Sequence, residues 1–311
     1  MRQEELAEEI ERTLKKEGFE VKYCEANGED ICFDIVARRE NKTILVKAVD
    51  NVDTVTRVQA NDMKKIAYTL KTAPLIVGLK SRRGELIEGV VYERYGIRAI
   101  RLETFSKAVR GRELPIAIVK RGGILVKING DKLRRARLEM GLSLGEIASR
   151  IGVTRKAIYE YERGNMYASL EVAIKLEEEL SEELIEPIDV FGWECREVPK
   201  DNEVGGDSIA LKAKEILERC GFDAVSLRKA PFNIAASDKE KRTKIVIQAK
   251  REINGRIIKK ARLMLDIAKI VNAKSLIVVG RSVEEDCVEG VPVFTFDEFS
   301  SKTDLLIEEL S

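Results

Sequence analysis

Residues 5–106 and 209–300 of this 311-residue chain carry the same five segments in the same order. KKEGFEV (15–21) is matched by ERCGFDA (218–224), and FDIVA (33–37) by FNIAA (232–236). ILVKA (44–48) is matched by IVIQA (245–249), APLIVG (73–78) by KSLIVVG (274–280), and IRAIRLETF (97–105) by VPVFTFDEF (291–299). Self-similarity on this scale means a duplicated domain with an unrelated segment inserted between the copies. The chain is therefore expected to hold more than one kind of fold.

Each copy has one coarse pattern. An amphipathic helix, 5–17 or 209–220, ends at a glycine suited to a helix C-cap. Short β-rich runs follow: FEVKYC, DICFDIVARR and TILVKAV in the first copy. A second helix is predicted over 55–70 or 255–271, and then an all-apolar strand, PLIVGL or SLIVVG. Such strands are usually buried on both faces in the middle of a sheet. A last strand and a helical tail complete the copy. The order αβββαβ with a mixed sheet is an α/β fold.

That order resembles the PD-(D/E)xK superfamily, the restriction-endonuclease-like α+β fold. The family's chemistry uses one acid at a strand end, then a second acid and a lysine two apart on the next strand, where period-2 spacing puts both on one face. The acids hold a divalent metal that activates water, and the lysine stabilises developing charge. The first copy offers Asp34 and Lys47, with Leu45 two residues before the lysine. The second offers Gln248 and Lys250 as Q-x-K, with Asn233 at the first acid position. Each copy lacks one metal-binding carboxylate, so both are expected to be degenerate and non-catalytic, without a bound metal or other cofactor. Glu40, Asp50, Asp53, Asp238 and Glu240 lie nearby in sequence and read as loop charges. Lys47, Lys250, Arg57 and Arg256 are either phosphate contacts or ordinary solvated residues.

The middle segment differs in charge. Residues 104–165 hold 14 Lys and Arg against 6 Asp and Glu, whereas 166–207 hold 3 against 13. A basic block of this size is the footprint of a polyanion binder. Within it, residues 130–165 read GDKLRRARLEMGLSLGEIASRIGVTRKAIYEYERGN. Leu133, Ala136 and Met140 mark one apolar helical face, ended by Gly141. Ser143 is placed to cap a second helix with Glu146 at the capping-box position. Ile147, Ala148 and Ile151 form its inner face. Gly152 supplies a turn, Thr154 caps a third helix, Ile158 and Tyr161 point inward, and Gly164 ends it.

This segment resembles the Cro/lambda-repressor (Xre) type of helix-turn-helix, with Ala148, Gly152, Ile158, Glu162 and Gly164 at signature positions. The resemblance implies that the third helix, 154–163, lies in the major groove of double-stranded DNA. Thr154, Arg155, Lys156, Tyr159 and Glu160 would then face base edges, with Arg155 suited to bidentate contact with guanine. Ser143 is also expected among the DNA-binding residues. Leu144 occupies a position usually polar in the family, which puts one phosphate contact in doubt.

Upstream, PIAIVKRGGILVKING (115–130) reads as a hairpin with a basic tip, Lys120 and Arg121, which is either a phosphate-contacting wing or a packing element. Downstream, ASLEVAIKLEEEL (168–180) is a helix with Leu170, Val172, Ala173, Leu176 and Leu180 inward and an acidic outer face. Residues 186–206 contain two prolines, two adjacent glycines and the chain's one tryptophan, Trp193, and read as a linker.

Composition narrows the chemistry. The chain has no histidine, which removes His-dependent triads and His metal ligands. Its five cysteines form no C-x-x-C pair and read as small buried hydrophobes. No apolar run is long enough for a membrane span, and the charged first 16 residues do not read as a signal peptide, so a cytoplasmic protein is expected. The expected organisation is a nuclease-like domain (1–114), a basic hairpin (115–130), an all-α helix-turn-helix domain (131–185), a linker (186–206) and a second nuclease-like domain (207–311). As a whole it resembles archaeal helix-turn-helix transcriptional regulators, which implies a homodimeric DNA-binding regulator and not an enzyme. The alternatives are a metal-dependent nuclease or junction resolvase targeted by the helix-turn-helix, and a binder without a dedicated operator.

Overall fold

In a computed structural model that describes residues 3–24, 30–120, 122–192, 208–280 and 286–301, the two halves of the repeat fold alike. Helix α1 (Gln3–Lys16) buries Leu6, Ala7, Ile10 and Leu14, the stripe its spacing predicts. Strands β1 (Glu20–Tyr23), β2 (Ile35–Arg39) and β3 (Lys42–Asn51) follow, then helix α2 (Arg57–Leu70) and strand β4 (Ala73–Ser81). Helix α2 begins where Thr56 caps it: the Thr56 hydroxyl accepts from the Gln59 amide, and the Gln59 side chain accepts from the Thr56 amide. Next come β5 (Gly84–Glu85), β6 (Val90–Arg94), β7 (Ile97–Arg101) and α3 (Leu102–Val109).

The central segment contributes β8 (Ala117–Lys120), β9 (Gly123–Ile128), α4 (Gly130–Glu139), α5 (Leu144–Ile151), α6 (Arg155–Glu162), β10 (Ala168–Ser169), α7 (Leu170–Leu180) and β11 (Ile185–Glu186). The second half repeats the first with α8 (Ser208–Arg219), β12 (Asp223–Ser226), β13 (Ile234–Ser237), β14 (Lys244–Lys250), α9 (Gly255–Val271), β15 (Lys274–Val279), β16 (Cys287–Val288) and β17 (Val291–Thr295).

Hydrogen bonds fix the equivalence of the copies. The Asp34 amide donates to Val46 O at 2.8 Å, and the Asn233 amide to Ile247 O at 3.0 Å. The Cys24 amide donates to Asp34 O at 2.8 Å, and the Leu227 amide to Asn233 O at 2.9 Å. In both copies the first three strands are antiparallel. Strand β15 lies between β14 and β17 and is parallel to both, which explains why Leu276, Ile277, Val278 and Val279 are all apolar and buried.

The chain divides into two compact units, one of residues 1–77, 95–97 and 191–311, the other of 78–94 and 98–190. The first unit unites the first copy up to Val77 with the second copy. Helix α2 packs on β12 and β13, and α9 packs on β1 and β2, so each copy covers the other's first strands. Polar ties run along this junction. Asp62 of α2 is buried and accepts from the amides of Arg228 and Lys229, both at 2.7 Å. Lys22 pairs with Asp266 at 2.7 Å, and the Cys32 amide donates to Lys229 O at 2.6 Å. Lys244 donates to Leu70 O and Val271 O, the last residues of α2 and α9. One ammonium thus serves the carbonyl-rich C-terminal ends of both helices, where a cation is favoured.

The thiols only partly match expectation. Cys24 and Cys32 are buried, and burial pushes both well above the ordinary thiol range. Cys287, however, is exposed in the short edge strand β16, and Cys220 is half-buried. Cys195 and Trp193 lie outside the described residues. Of the expected linker, 186–190 is packed: Glu186 pairs in β11, and Ile188 and Val190 are buried. Residues 193–206 lie outside the described residues.

Replacing Asp62 with Ala leaves two amides of the partner loop without their acceptor. We expect a loss of about 1–3 kcal/mol in chemical denaturation. Wild-type stability in Asp62→Ala would show that the tie contributes nothing.

Candidate nucleic-acid interface

The second unit is built around the basic segment. Strands β8 and β9 form the expected hairpin, pairing Ala117 with Val126 and Lys120 with Gly123. At its tip Gly122 and Gly123 have φ of +108° and +120°, values that favour glycine. Short strands β10 and β11 add to β9 at Val126 and Ile128. Val126, Ile128, Leu133, Ile147, Ile158, Leu176 and Leu184 share one core, so hairpin and helices are one packed body.

Helices α5 and α6 follow from their caps. The Ser143 hydroxyl accepts from the Glu146 amide at 3.2 Å, and Glu146 Oε2 accepts from the Ser143 amide at 2.7 Å. Gly152 ends α5 in the left-handed region at φ +81°, with its amide and that of Val153 both donating to Ala148 O. Thr154 then caps α6 by accepting from the Ala157 amide at 3.1 Å. Each capping hydroxyl is used as an acceptor, and that of Thr154 keeps its hydrogen to donate. Ile147, Ala148, Ile151, Ile158 and Tyr161 are buried as expected.

Arg137 was not foreseen as an inward residue. Met140 is 48% exposed at the end of α4, and Arg137 is 7% exposed instead. Its guanidinium meets Glu162 at the end of α6 as a bidentate pair, Nε to Oε1 at 2.6 Å and Nη2 to Oε2 at 3.1 Å. A third bond runs from Nη1 to Leu142 O at 2.7 Å. Close backbone contact accompanies the pair, since a Cβ on Gly130 would lie 2.2 Å from Glu162 O. The sequence signal was available: a small residue opening α4, and an arginine one place from the apolar stripe.

The expected acidic outer face of α7 is also partly turned inward. Glu177 Oε1 accepts from the amides of Leu184 and Ile185, and Glu179 pairs with Arg150 of α5 at 2.6 Å. Leu170, expected inside, is 40% exposed in the first turn of α7.

Of the residues expected to meet DNA, Thr154, Arg155, Lys156, Tyr159 and Ser143 are exposed. Glu160 is half-buried and accepts from Asn165 Nδ2 at 2.9 Å. The Tyr159 hydroxyl accepts from Arg163 at 2.8 Å, which fixes the ring. Lys120 stands over the Tyr167 ring at 5.0 Å. Arg121 lies outside the described residues. Leu144 is half-buried against the core, which accounts for an apolar residue there. Arg134 and Arg135 of α4 are further exposed cations that the motif reading passed over.

The nuclease-like positions are in the first unit. Asp34 and Lys47 are both buried and pair at 2.9 Å. Asp34 Oδ2 also accepts from the Ala48 amide at 2.7 Å, and Lys47 also donates to Ile31 O at 2.9 Å. Burial raises the Asp34 carboxyl above the usual carboxylate range, with Lys47 working in the opposite direction. Pairing of Ile35 with Val46, and of Ile234 with Ile247, puts Asp34 opposite Lys47 and Asn233 opposite Gln248. Lys47 is therefore equivalent to Gln248, and Lys250 to the buried Val49, not to Lys47. Asn233 repeats the backbone lock, accepting from the Ala249 amide at 2.9 Å and donating to Ala249 O at 2.7 Å.

The residues at Asp34 do not fit a divalent metal. Mg²⁺ needs several hard oxygen donors, and the one carboxylate is engaged by an ammonium and an amide. Glu40 and Asp238 lie at the β2–β3 and β13–β14 turns, at the far ends of those strands. Among the described residues, no group of three His, Cys, Asp or Glu could hold a metal.

Two outcomes follow from this geometry. Arg137→Ala leaves the Glu162 carboxylate buried and unpaired, and should cost about 3–5 kcal/mol in the melting of the central unit; an unchanged melt would refute the tie. The Ser143 amide bond and hydroxyl hold Glu146 below the ordinary carboxylate range. Its contribution to the α5 cap is thus present above the ordinary glutamate value and lost as pH falls through the lowered one. In an NMR titration the Ser143 amide should follow Glu146 with that lowered midpoint; an ordinary midpoint would contradict the capping box.

Comparisons with known proteins agree with this arrangement. Residues 3–115 match the model of a PD-(D/E)XK superfamily domain, and 133–186 match a helix-turn-helix model. A protein of Thermococcus kodakarensis is 38% identical over 294 residues, 94% of this chain and 90% of its own length. One of Pyrococcus horikoshii is 37% identical over 94% of this chain and 92% of its own length, and one of Methanocaldococcus jannaschii 32% over 88% and 86%. All three bear the provisionally given name of HTH-type transcriptional regulatory protein. No solved structure matches the chain. With a helix-turn-helix in its centre and a PD-(D/E)XK domain before it, the chain belongs to this family of HTH-type transcriptional regulatory proteins.

Proposed function

We propose that the chain is a sequence-specific double-stranded DNA-binding regulator of transcription that reads its site with α6 in the major groove. The observation that carries this is the exposure of Thr154, Arg155, Lys156 and Tyr159 on a helix seated by a buried bidentate ion pair. Rigid seating allows bonds to bases without the entropy cost of ordering the helix on binding. Arg155 supplies the fork that matches guanine, and Thr154 a hydroxyl hydrogen. Glu160, held by Asn165, is at the margin of the surface.

Phosphate contacts come from Ser143, Lys120 and Arg121, joined by Arg134 and Arg135 of α4, and they set register without reading sequence. The protein acts as a cytoplasmic homodimer, with half-sites about one DNA turn (~34 Å) apart. The nuclease-like copies are non-catalytic: Asp34 is already satisfied by Lys47 and Ala48, and the second copy carries the amide Asn233 in its place.

Selection from a random duplex library tests the readout. Arg155→Ala should relax the preference at one base of each half-site, losing about 1–3 kcal/mol of discrimination. Lys120→Ala should weaken all sequences alike and reduce the salt slope by about 1. An Arg155→Ala protein that selects the same site with undiminished preference would exclude this assignment.

A further inference from the structure

The two copies differ in charge at a matched cross-strand pair. The first holds Asp34 and Lys47, both buried; the second holds half-buried Asn233 and buried Gln248. A carboxylate and its counter-charge are present together in one copy and absent together from the other, while the bond to the next strand residue's amide is kept in both. Asp34 accepts from that amide and from Lys47, whose ammonium also reaches the Ile31 carbonyl. Carboxylate and carbonyl oxygens are the donors a hard cation takes, and here they converge on a nitrogen.

We infer that the Lys47 ammonium is a built-in counter-ion standing where a divalent cation would sit in the first copy, so that this copy is metal-independent and a single exchange turns the position into a cation site. A buried carboxylate needs a positive partner. In the first copy the chain itself supplies it; in the second, replacement of Asp by Asn removes the need. The inference is independent of the reading of α6, because it concerns a pair of strands in the other unit.

The test uses the full chain and Mn²⁺ as the probe. Thermal melting in EDTA and in Mn²⁺, with Mn²⁺ counted by electron paramagnetic resonance, is read for four proteins. Wild type should bind no Mn²⁺ that depends on Asp34, and its melting temperature should not move. Lys47→Glu should melt lower in EDTA, bind one Mn²⁺ per chain and rise in melting temperature, whereas Asp34→Asn/Lys47→Glu should lose both responses. Asp34-dependent Mn²⁺ binding by wild type, or no response from folded Lys47→Glu, overturns the inference. Should Lys47→Glu fail to fold, the double variant Asp34→Asn/Lys47→Gln, which copies the second half, decides. It should melt above both of its single variants, and a melt at or below the weaker single variant overturns the inference.

Discussion

The bidentate bond between Arg137 and Glu162 is the constraint on which the DNA-facing surface depends. It joins the helix that opens the motif to the end of the helix that carries the exposed residues. Both side chains are 8% exposed, so the pair is little screened by solvent and has no water to replace a lost partner. Gly130 lets the backbone of α4 reach that of α6, and the ion pair then fixes how α6 is turned about its axis. With Ile158 and Tyr161 on the buried side, Arg155, Lys156 and Tyr159 have only the outer side left.

The same pair changes the meaning of the charge count. Arg137 belongs to the basic block but is spent inside, Arg150 is bound by Glu179, and Lys127 by Glu186. What remains for a polyanion is a smaller set in which Arg134, Arg135, Arg155 and Lys156 are exposed. A run of positive charge in sequence thus overstates the field at the surface, because the adjoining acidic run folds back onto it through Glu179 and Glu186.

The motif was legible in the sequence because its signals are local. Caps at Ser143 and Thr154, and a left-handed turn at Gly152, depend on neighbours within a few residues, and all three stand as the spacing predicts. Arg137 was not, because its partner is 25 residues away and charge alone places an arginine outside. The nuclease-like halves were legible through repetition, which outlasts loss of the motif. Register was harder. Lys47 and Lys250 lie two strand positions apart, and a two-residue slip keeps a side chain on the same face, so alternation cannot detect it. The paired segments ILVKA and IVIQA already equated Lys47 with Gln248, and only the strand pairing shows what that equivalence means for Asp34. That the copies cover each other's first strands had no local signal at all.

One incubation with sheared genomic DNA in the presence of Mg²⁺, sequencing both the retained fragments and any new ends, separates a site-reading regulator from a nuclease. A regulator reading bases through α6 gives strong enrichment of a few sites with two-fold symmetry upstream of genes, and no new ends. Retention of all sequences alike would reduce α6 to a charged surface, and new ends lost in Lys47→Ala or Lys250→Ala protein would make the nuclease-like copies an enzyme.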